Sequence, residues 1–581
     1  MAAMVKTSRK TLRSADHEMP PSARPDPRPL VLASGLTTDQ VATLLAPYGF
    51  RDTKRADDNI QAIAGDPSSR ALLARILGSL LDAVATSADP DQALIHWERF
   101  LSAGIARTHL FDYLRGAPRM LHLLCTIFGN CSSLAQTLIR DPLLVYWLVD
   151  EQVLTRRPSR RDLQEGLKAA LGNVSAVELK LEALRRFRRR EMLRIGVRDL
   201  LRLSDVVGTT VALSDLAAVL IQGAYEVVSA RLRRLHGVPQ HRDRRGRWAE
   251  TGFSVIAMGK LGGGELNFSS DVDLIYVYGS DEGGTRPVVE PSAKGFRSIP
   301  NEEYFEYLAR DLTRALMEAT QEGYVFRVDL RLRAEGSVGR LARPLAGYAQ
   351  YYRARGQVWE RLALLKAWPV AGDATVGRAF LRAVRPFVLG LTEAGRPPES
   401  PGAVIEQVKA VKQMIDVKMA DRGQAQRNVK LGIGGIREIE FLVQTIQVLC
   451  GGTLPVLLDR HTLGALARFR RCGLLSPGHY EDLVGAYLFL RDVEHKLQMV
   501  HDLQTHALPA SPEELTQCAI RLGYSPENRE TARKRFLADH RRHTANVRRA
   551  FHDLFHARER SRLLRTALKL AGQSGRVRAR R

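Results

Sequence analysis

The stretch Ile256 to Tyr278, IAMGKLGGGELNFSSDVDLIYVY, constrains the fold more than any other part of this 581-residue chain. Two apolar runs with the character of strands flank a glycine-rich turn, and Asp271 and Asp273 stand at the start of the second run. Successive side chains of a strand point to opposite faces, so carboxylates two residues apart project together. Asp271, Asp273, Ile275 and Val277 are expected on one face, with Val272, Leu274, Tyr276 and Tyr278 on the other. Hard oxygen ligands placed this way suit Mg²⁺, which proteins hold through one or two carboxylates plus substrate phosphates. Gly262, Gly263 and Gly264 let backbone N–H groups approach an anion, and Ser270 adds a hydroxyl donor. The two halves together describe a metal-dependent nucleotide site.

Downstream, Glu302 to Thr320 reads as a helix, and Tyr324 to Arg333, YVFRVDLRLR, alternates as a strand should. Phe326, Val328, Leu330 and Leu332 make its apolar face, leaving Asp329 with Arg327, Arg331 and Arg333. Two carboxylates on one strand and a third on a neighbour form the usual triad for in-line nucleotidyl transfer, in which metal ions clamp the attacking and leaving oxygens. Asp329 could also serve as, or orient, the base for the nucleophile. Arg331 and Arg333 are natural phosphate ligands, because guanidinium meets phosphate oxygens as a fixed fork. Each piece alone has a plainer reading: Asp-Val-Asp as a solvated turn, the glycines as a nonspecific loop, the alternating charges as an exposed sheet face. Their joint order favours a site.

The rest of the chain divides by composition. Residues 1–30, polar and crowded with Pro20, Pro21, Pro25, Pro27 and Pro29, read as a disordered leader. Residues 31–215 read as a helical region; Leu72, Leu73, Ile76, Leu77, Leu80, Leu81 and Val84 recur at the spacing of one helix face and are expected to be core. Within Leu184 to Leu203, Arg185, Arg186, Arg188, Arg189 and Arg190 are expected on a solvated face or a docking surface for an acidic partner. The catalytic domain is assigned to 216–395, a helical bundle to 396–556 and a basic tail to 557–581. The five cysteines include no CxxC pair, which points to reduced thiols and a cytoplasmic setting. No run approaches the ~18 uninterrupted apolar residues of a membrane span, so no membrane is expected. The net charge of +24 implies acidic partners without choosing between nucleic acid, nucleotide and protein.

The segments GKLGGGELNFSSDVDLIYVY and FRVDLRLRAEGSVGRL, followed in order by WERLALLKAWPVAGD, KLGIGGIREIEFLVQTIQ and LRDVEHKLQ, closely resemble the glutamine synthetase adenylyltransferase/adenylyl-removing enzyme family. That family is a branch of the DNA polymerase β-like nucleotidyltransferases. The resemblance implies an α+β, mostly α-helical fold, with a polymerase β-like mixed sheet flanked by helical domains. It also implies that Asp271, Asp273 and Asp329 are catalytic and hold Mg²⁺, while Gly262, Gly263, Ser270, Arg331, Arg333 and Lys366 bind the nucleotide. Glutamine synthetase is the implied partner, with a PII-type signal protein as a second, and the extended landmarks count against nucleic acid.

Full-length members carry two nucleotidyltransferase copies, and this chain has one complete motif set. Its LNFSSD wording resembles the deadenylylating copy, so the expected reaction is phosphorolysis: orthophosphate in, ADP out, and AMP removed from a tyrosine of glutamine synthetase. ATP-dependent attachment of AMP and non-catalytic binding of glutamine synthetase or a PII-type protein are the alternatives. Where the family usually shows proline, this chain has Ala334, Arg340 and Ile433, at positions that shape loops. Gly432, Gly434 and Gly435 precede a helix and are expected to form either a tight connection or a phosphate site. Arg491 with His495 and Glu494 with Gln498 are expected to form a buried polar network or surface pairs, with His501 and His506 likewise in non-catalytic roles.

Overall fold

The computed structural model describes residues 24–287, 297–391, 401–421, 423–500, 502–555 and 565–566. The leader is therefore described only from Arg24, and the basic tail only at 565–566. The chain divides into two compact units, Met1–Pro142 and Leu143–Arg581. This corrects the expected boundary at 215/216, which falls inside the single helix Val206–His236; the boundary at 30/31 falls inside the short helix Pro29–Leu32.

The first unit is helical. Pro67–Ala85 begins where the Asp66 carboxylate accepts the backbone N–H groups of Ser68 and Ser69 and Pro67 occupies the first turn. The expected stripe packs inward at Leu73, Ile76, Leu77, Leu80, Leu81 and Val84, all buried, while Leu72 is only half-buried. Trp97 on the Pro90–Ser102 helix meets Phe128 on Pro118–Asn130 edge to face, ring centroids 5.2 Å apart.

The second unit holds the strands: Val238–Arg242 (β1), Trp248–Glu250 (β2), Phe253–Ala257 (β3), Val272–Tyr278 (β4), Gly284–Arg286 (β5), Val328–Asp329 (β6), Ala342–Pro344 (β7) and Trp368–Gly372 (β8). Three form a small sheet in the order β2-β1-β5, and the others form a mixed sheet in the order β6-β4-β3-β8, with β7 also on β4. β4 runs antiparallel to β3 and parallel to β6 and β7. Its two faces separate as the alternation predicts. Ile275 and Val277 join Ile256, Tyr348 and Phe380 in one core cluster. Tyr278 stacks on Phe305 of the Asn301–Met317 helix at 4.6 Å. Both faces are thus covered, which matches a β3 buried along its whole length, FSVIA.

The long third strand expected over Tyr324–Arg333 is corrected to two residues, Val328 and Asp329. The backbone N–H of Arg331 donates to Asp329 Oδ1 at 2.8 Å, and this side-chain turn bends the chain off the sheet at once. The arginine-rich helix Val177–Leu200 is also corrected. Arg185, Arg194 and Arg198 are buried, Arg188 lies over the rings of Tyr324 and Phe326, and Arg189 pairs with Glu322. Arg185, Arg188 and Arg189 are thus engaged by neighbouring groups while Arg186 stays exposed, so the five arginines do not form one solvated face or one free docking surface.

After the sheet, Ile436–Cys450, Pro477–Met499 and Arg529–Phe555 build a helical bundle around Ile439, Leu442, Leu490 and Phe536. Among the described residues one helix, Val206–His236, is long and apolar enough to cross a membrane, and 61% of its most apolar window is buried inside the protein. The five cysteines are free thiols.

Candidate active site

β3 ends at Ala257 and the chain enters the short helix Gly259–Gly262 before reaching β4. Gly259 has φ +55°, and a Cβ there would collide with the Asp273 carboxylate. Only glycine lets the backbone close against that side chain. The other glycines do something else. The N–H groups of Gly262, Gly263 and Gly264 donate to the carbonyls of Met258, Gly259 and Leu261 at 2.8, 3.1 and 2.9 Å. They are not free for an anion, which corrects the nucleotide-binding role expected of Gly262 and Gly263. A Cβ on Gly262 would meet the carbonyls of Lys366 and Ala257, so close backbone packing is what requires glycine there.

The three carboxylates converge through pairing register: Asp273 on β4 stands opposite Asp329 on β6, and Asp271 lies just before β4. Arg327 donates to Asp271 from Nε at 2.7 Å, and its other nitrogens hold Ser269 O and Tyr324 Oη. Arg331 grips Asp329 from Nη2 at 2.5 Å. Burial would raise the Asp329 carboxyl, but the Arg331 hydrogen bonds outweigh it and hold the group below its ordinary value. Asp273 lacks such a partner. Burial, then the neighbouring Asp329 charge, push its carboxyl up to about 6, against the pull of Lys430.

Among the described residues no three acidic, histidine or cysteine side chains close into a ready metal cage. Asp271 and Asp329 are turned onto arginines. The donor set still fits a hard divalent cation: three carboxylates supply only oxygen, and Asp273 is raised by burial first and then by the Asp329 charge, so a cation beside it would favour its ionised form. The Ser270 hydroxyl oxygen has no hydrogen-bond partner among the described residues, and Ser270 lines the same cleft.

That cleft, about 660 Å³, is lined by Gly259, Lys260, Asp271, Asp273, Asp329 and Arg331 from the strand domain and by Lys430, Arg437, Gln504 and His506 from beyond it. Trp359, Leu362, Met414 and Phe441 give it an apolar wall, with Trp359 41% exposed. Two expected ligands are diverted. Arg333 is buried and spends its guanidinium on the carbonyls of Leu330, Ser337 and Gly339. Lys366 touches the cleft, but its ammonium is held by Glu440 at 2.7 Å and Glu265 at 3.0 Å, whose charges raise it despite burial. Neither is left to take a phosphate.

The sequence reading passed over Gly259, Lys260, Arg327, Trp359, Lys430 and Arg437. Lys260 and Lys430 each lie in a KLG tripeptide, at Lys260 and Lys430, and that recurrence was the available signal. The polar network expected in LRDVEHKLQ is buried and ties the bundle to the glycine turn: Glu494 accepts from Lys260 and Asn267, each at 2.6 Å, and lies 2.9 Å from His506. Arg491 donates to Asn267 Oδ1 at 2.6 Å. Gly432, Gly434 and Gly435 form the tight connection rather than a phosphate site; a Cβ at Gly434, φ +71°, would strike the Thr544 backbone, and the N–H groups of Ile436 and Arg437 donate to Val429 and Lys430. His501 lies outside the described residues.

Residues 121–383 match the family described as glutamate-ammonia ligase adenylyltransferase, and residues 409–555 match the PII-uridylyltransferase family. Curated relatives named bifunctional glutamine synthetase adenylyltransferase/adenylyl-removing enzyme are similar at length. The protein of Xanthomonas oryzae is 40% identical over 346 residues, 59% of this chain and 34% of the relative. That of Nitrosococcus oceani is 37% identical over 70% of this chain and 40% of the relative. That of Thioalkalivibrio sulfidiphilus is 38% identical over 71% and 41%. The chain thus spans well under half the length of these relatives.

Proposed function

We propose, on the match of residues 121–383 to the glutamate-ammonia ligase adenylyltransferase family, that this chain is a nucleotidyltransferase that removes AMP from an adenylylated tyrosine of glutamine synthetase by phosphorolysis. The observation that carries the reading is the register of Asp273 against Asp329, with Asp271 beside them, at a cleft that also offers an apolar wall. Asp271, Asp273 and Asp329 would hold Mg²⁺, which supplies a Lewis acid at the phosphorus and neutralises the leaving oxygen. The protein's own groups do the positioning. Arg327 fixes Asp271, Gly259 admits Asp273, and Arg331 keeps Asp329 ionised. Trp359 and Met414 suit a flat apolar ring, the adenine or the tyrosyl ring. An oxygen of orthophosphate attacks the AMP phosphorus in line, the bond to the tyrosyl oxygen breaks, and ADP leaves.

ATP-dependent attachment of AMP is the second reading, because the family description and the relatives' names include an adenylyltransferase. A PII-type signal protein is the second partner we propose, on the match of residues 409–555 to a family named for acting on PII. The two directions are separated by supplying adenylylated glutamine synthetase with orthophosphate in one reaction and unmodified glutamine synthetase with ATP in another. ADP in the first and no AMP incorporation in the second is the expected pair. Incorporation without ADP release reverses the assignment, and silence in both favours a non-catalytic regulator.

A further inference from the structure

Cations facing this cleft are almost all spoken for. Lys260 is paired with Glu494, Lys366 with Glu265 and Glu440, and Arg331 with Asp329, while Arg437 lies 3.6 Å from Glu440. Lys430 has no hydrogen-bond or ion-pair partner for its ammonium among the described residues. Its backbone, by contrast, is firmly held. Its N–H donates to Asn428 Oδ1 at 3.0 Å and its carbonyl accepts from the N–H of Arg437 at 2.9 Å. Two further donors at the same cleft lack acceptors, the buried Arg437 Nε and the Ser270 hydroxyl. Three unsatisfied donors, among them the unpaired Lys430 ammonium, call for a ligand that only accepts hydrogen bonds and carries negative charge.

We infer that Lys430, with Arg437 and Ser270, binds the attacking orthophosphate, the group that becomes the β-phosphate of ADP. Naming the anion as orthophosphate rests on the phosphorolytic reading; the phosphate-binding site itself rests on the donors. Monohydrogen phosphate seated on Lys430 presents one oxygen to the AMP phosphorus. The new P–O–P bond forms as the P–O bond to tyrosine breaks, and the proton of the phosphate passes to the tyrosyl oxygen. Electrons stay with the leaving oxygen, so no oxidant or further reactant is required. The bundle then supplies part of the active site, because Lys430 and Arg437 lie outside the strand domain that carries the carboxylates.

An unpartnered, partly desolvated ammonium disfavours folding, so replacing it should not weaken the protein. That separates a binding role from a structural one. The test is equilibrium dialysis of the full chain with radiolabelled inorganic phosphate and Mg²⁺, on the unsubstituted protein, Lys430→Met and Lys430→Arg. At least tenfold weaker binding in Lys430→Met, partial recovery in Lys430→Arg, and an unfolding temperature no lower than that of the unsubstituted chain are expected. Unchanged binding in Lys430→Met, or no phosphate binding by the unsubstituted chain at 10 mM on the order of a saturating concentration for weak substrate sites, overturns the inference. Should Lys430→Met not fold, acetylation of the unsubstituted chain decides instead: inorganic phosphate should protect Lys430, chloride of equal ionic strength should not, and equal labelling overturns the inference. Phosphate binding lost in Lys430→Met would uphold the site even if no ADP forms, whereas ADP formation with an unchanged KM for orthophosphate in Lys430→Met would refute it and leave the reaction standing.

Discussion

Gly259 decides whether Asp273 can occupy its place at the cleft. Its φ of +55° and the collision any Cβ would make with the carboxylate predict that Gly259→Ala displaces Asp273. Activity should fall at least tenfold, with a stability loss of roughly 1–3 kcal/mol from backbone strain, read by steady-state rates and urea unfolding. Trp359 makes the opposite prediction. Because it is 41% exposed, Trp359→Ala should leave the unfolding temperature nearly unchanged while raising KM for the adenylylated substrate about tenfold, the effect of losing one ring contact of ~1–3 kcal/mol. At this scale the meeting of the three carboxylates was legible, because alternation along a strand puts Asp271 and Asp273 together and the arginine-flanked Asp329 stood out. The groups left unpaired at the cleft were not. Sequence gives a residue's donors but not what already satisfies them, and Gly262, Gly263, Arg333 and Lys366 are all satisfied within the fold.

Between elements, the Pro477–Met499 helix is fastened to the glycine turn by Glu494, a fully buried carboxylate whose charge is met by Lys260 and His506. The nearby cations outweigh burial and hold it well below the ordinary carboxylate range. Glu494→Gln should leave the buried Lys260 charge uncompensated and lower stability by about 3–5 kcal/mol, measured by urea unfolding. A loss under 1 kcal/mol would mean that the network does not join the elements. The helices and the two main strands were readable from the period of their apolar residues. The short β6 was not: the YVFRVDLRLR alternation is continuous, but the Asp329 side chain takes the Arg331 N–H and turns the chain away. Arg188 and Arg189 of Val177–Leu200 likewise look solvated in one dimension and are met by a ring and a carboxylate in three.

Across the whole molecule, the fold class followed from the family resemblance, while the unit boundary did not. The helix Val206–His236 carries no composition break, and the division falls earlier, at Pro142. The pH response also belongs to the molecule as a whole. Burial lowers His495 and His540 to about 4, so both are neutral when folded. Unfolding frees them to bind protons with a pKa near 6.5. Their contribution is full above about pH 6.5 and is lost as pH falls towards 4, on the order of 2 kcal/mol per histidine by pH 5. His540→Leu should flatten that decline in urea melts taken between pH 7 and 5; an unchanged slope would show that His540 is not the group responsible. The most direct test of the central claim follows the label. Adenylylated glutamine synthetase, Mg²⁺ and radiolabelled orthophosphate are incubated with the chain and with an Asp271→Asn/Asp273→Asn variant, and the nucleotides are separated. Label in the β-phosphate of ADP, absent with the variant, is the predicted result. Unlabelled AMP as the product, or equal labelling with the variant, would contradict a phosphorolytic site built on these carboxylates.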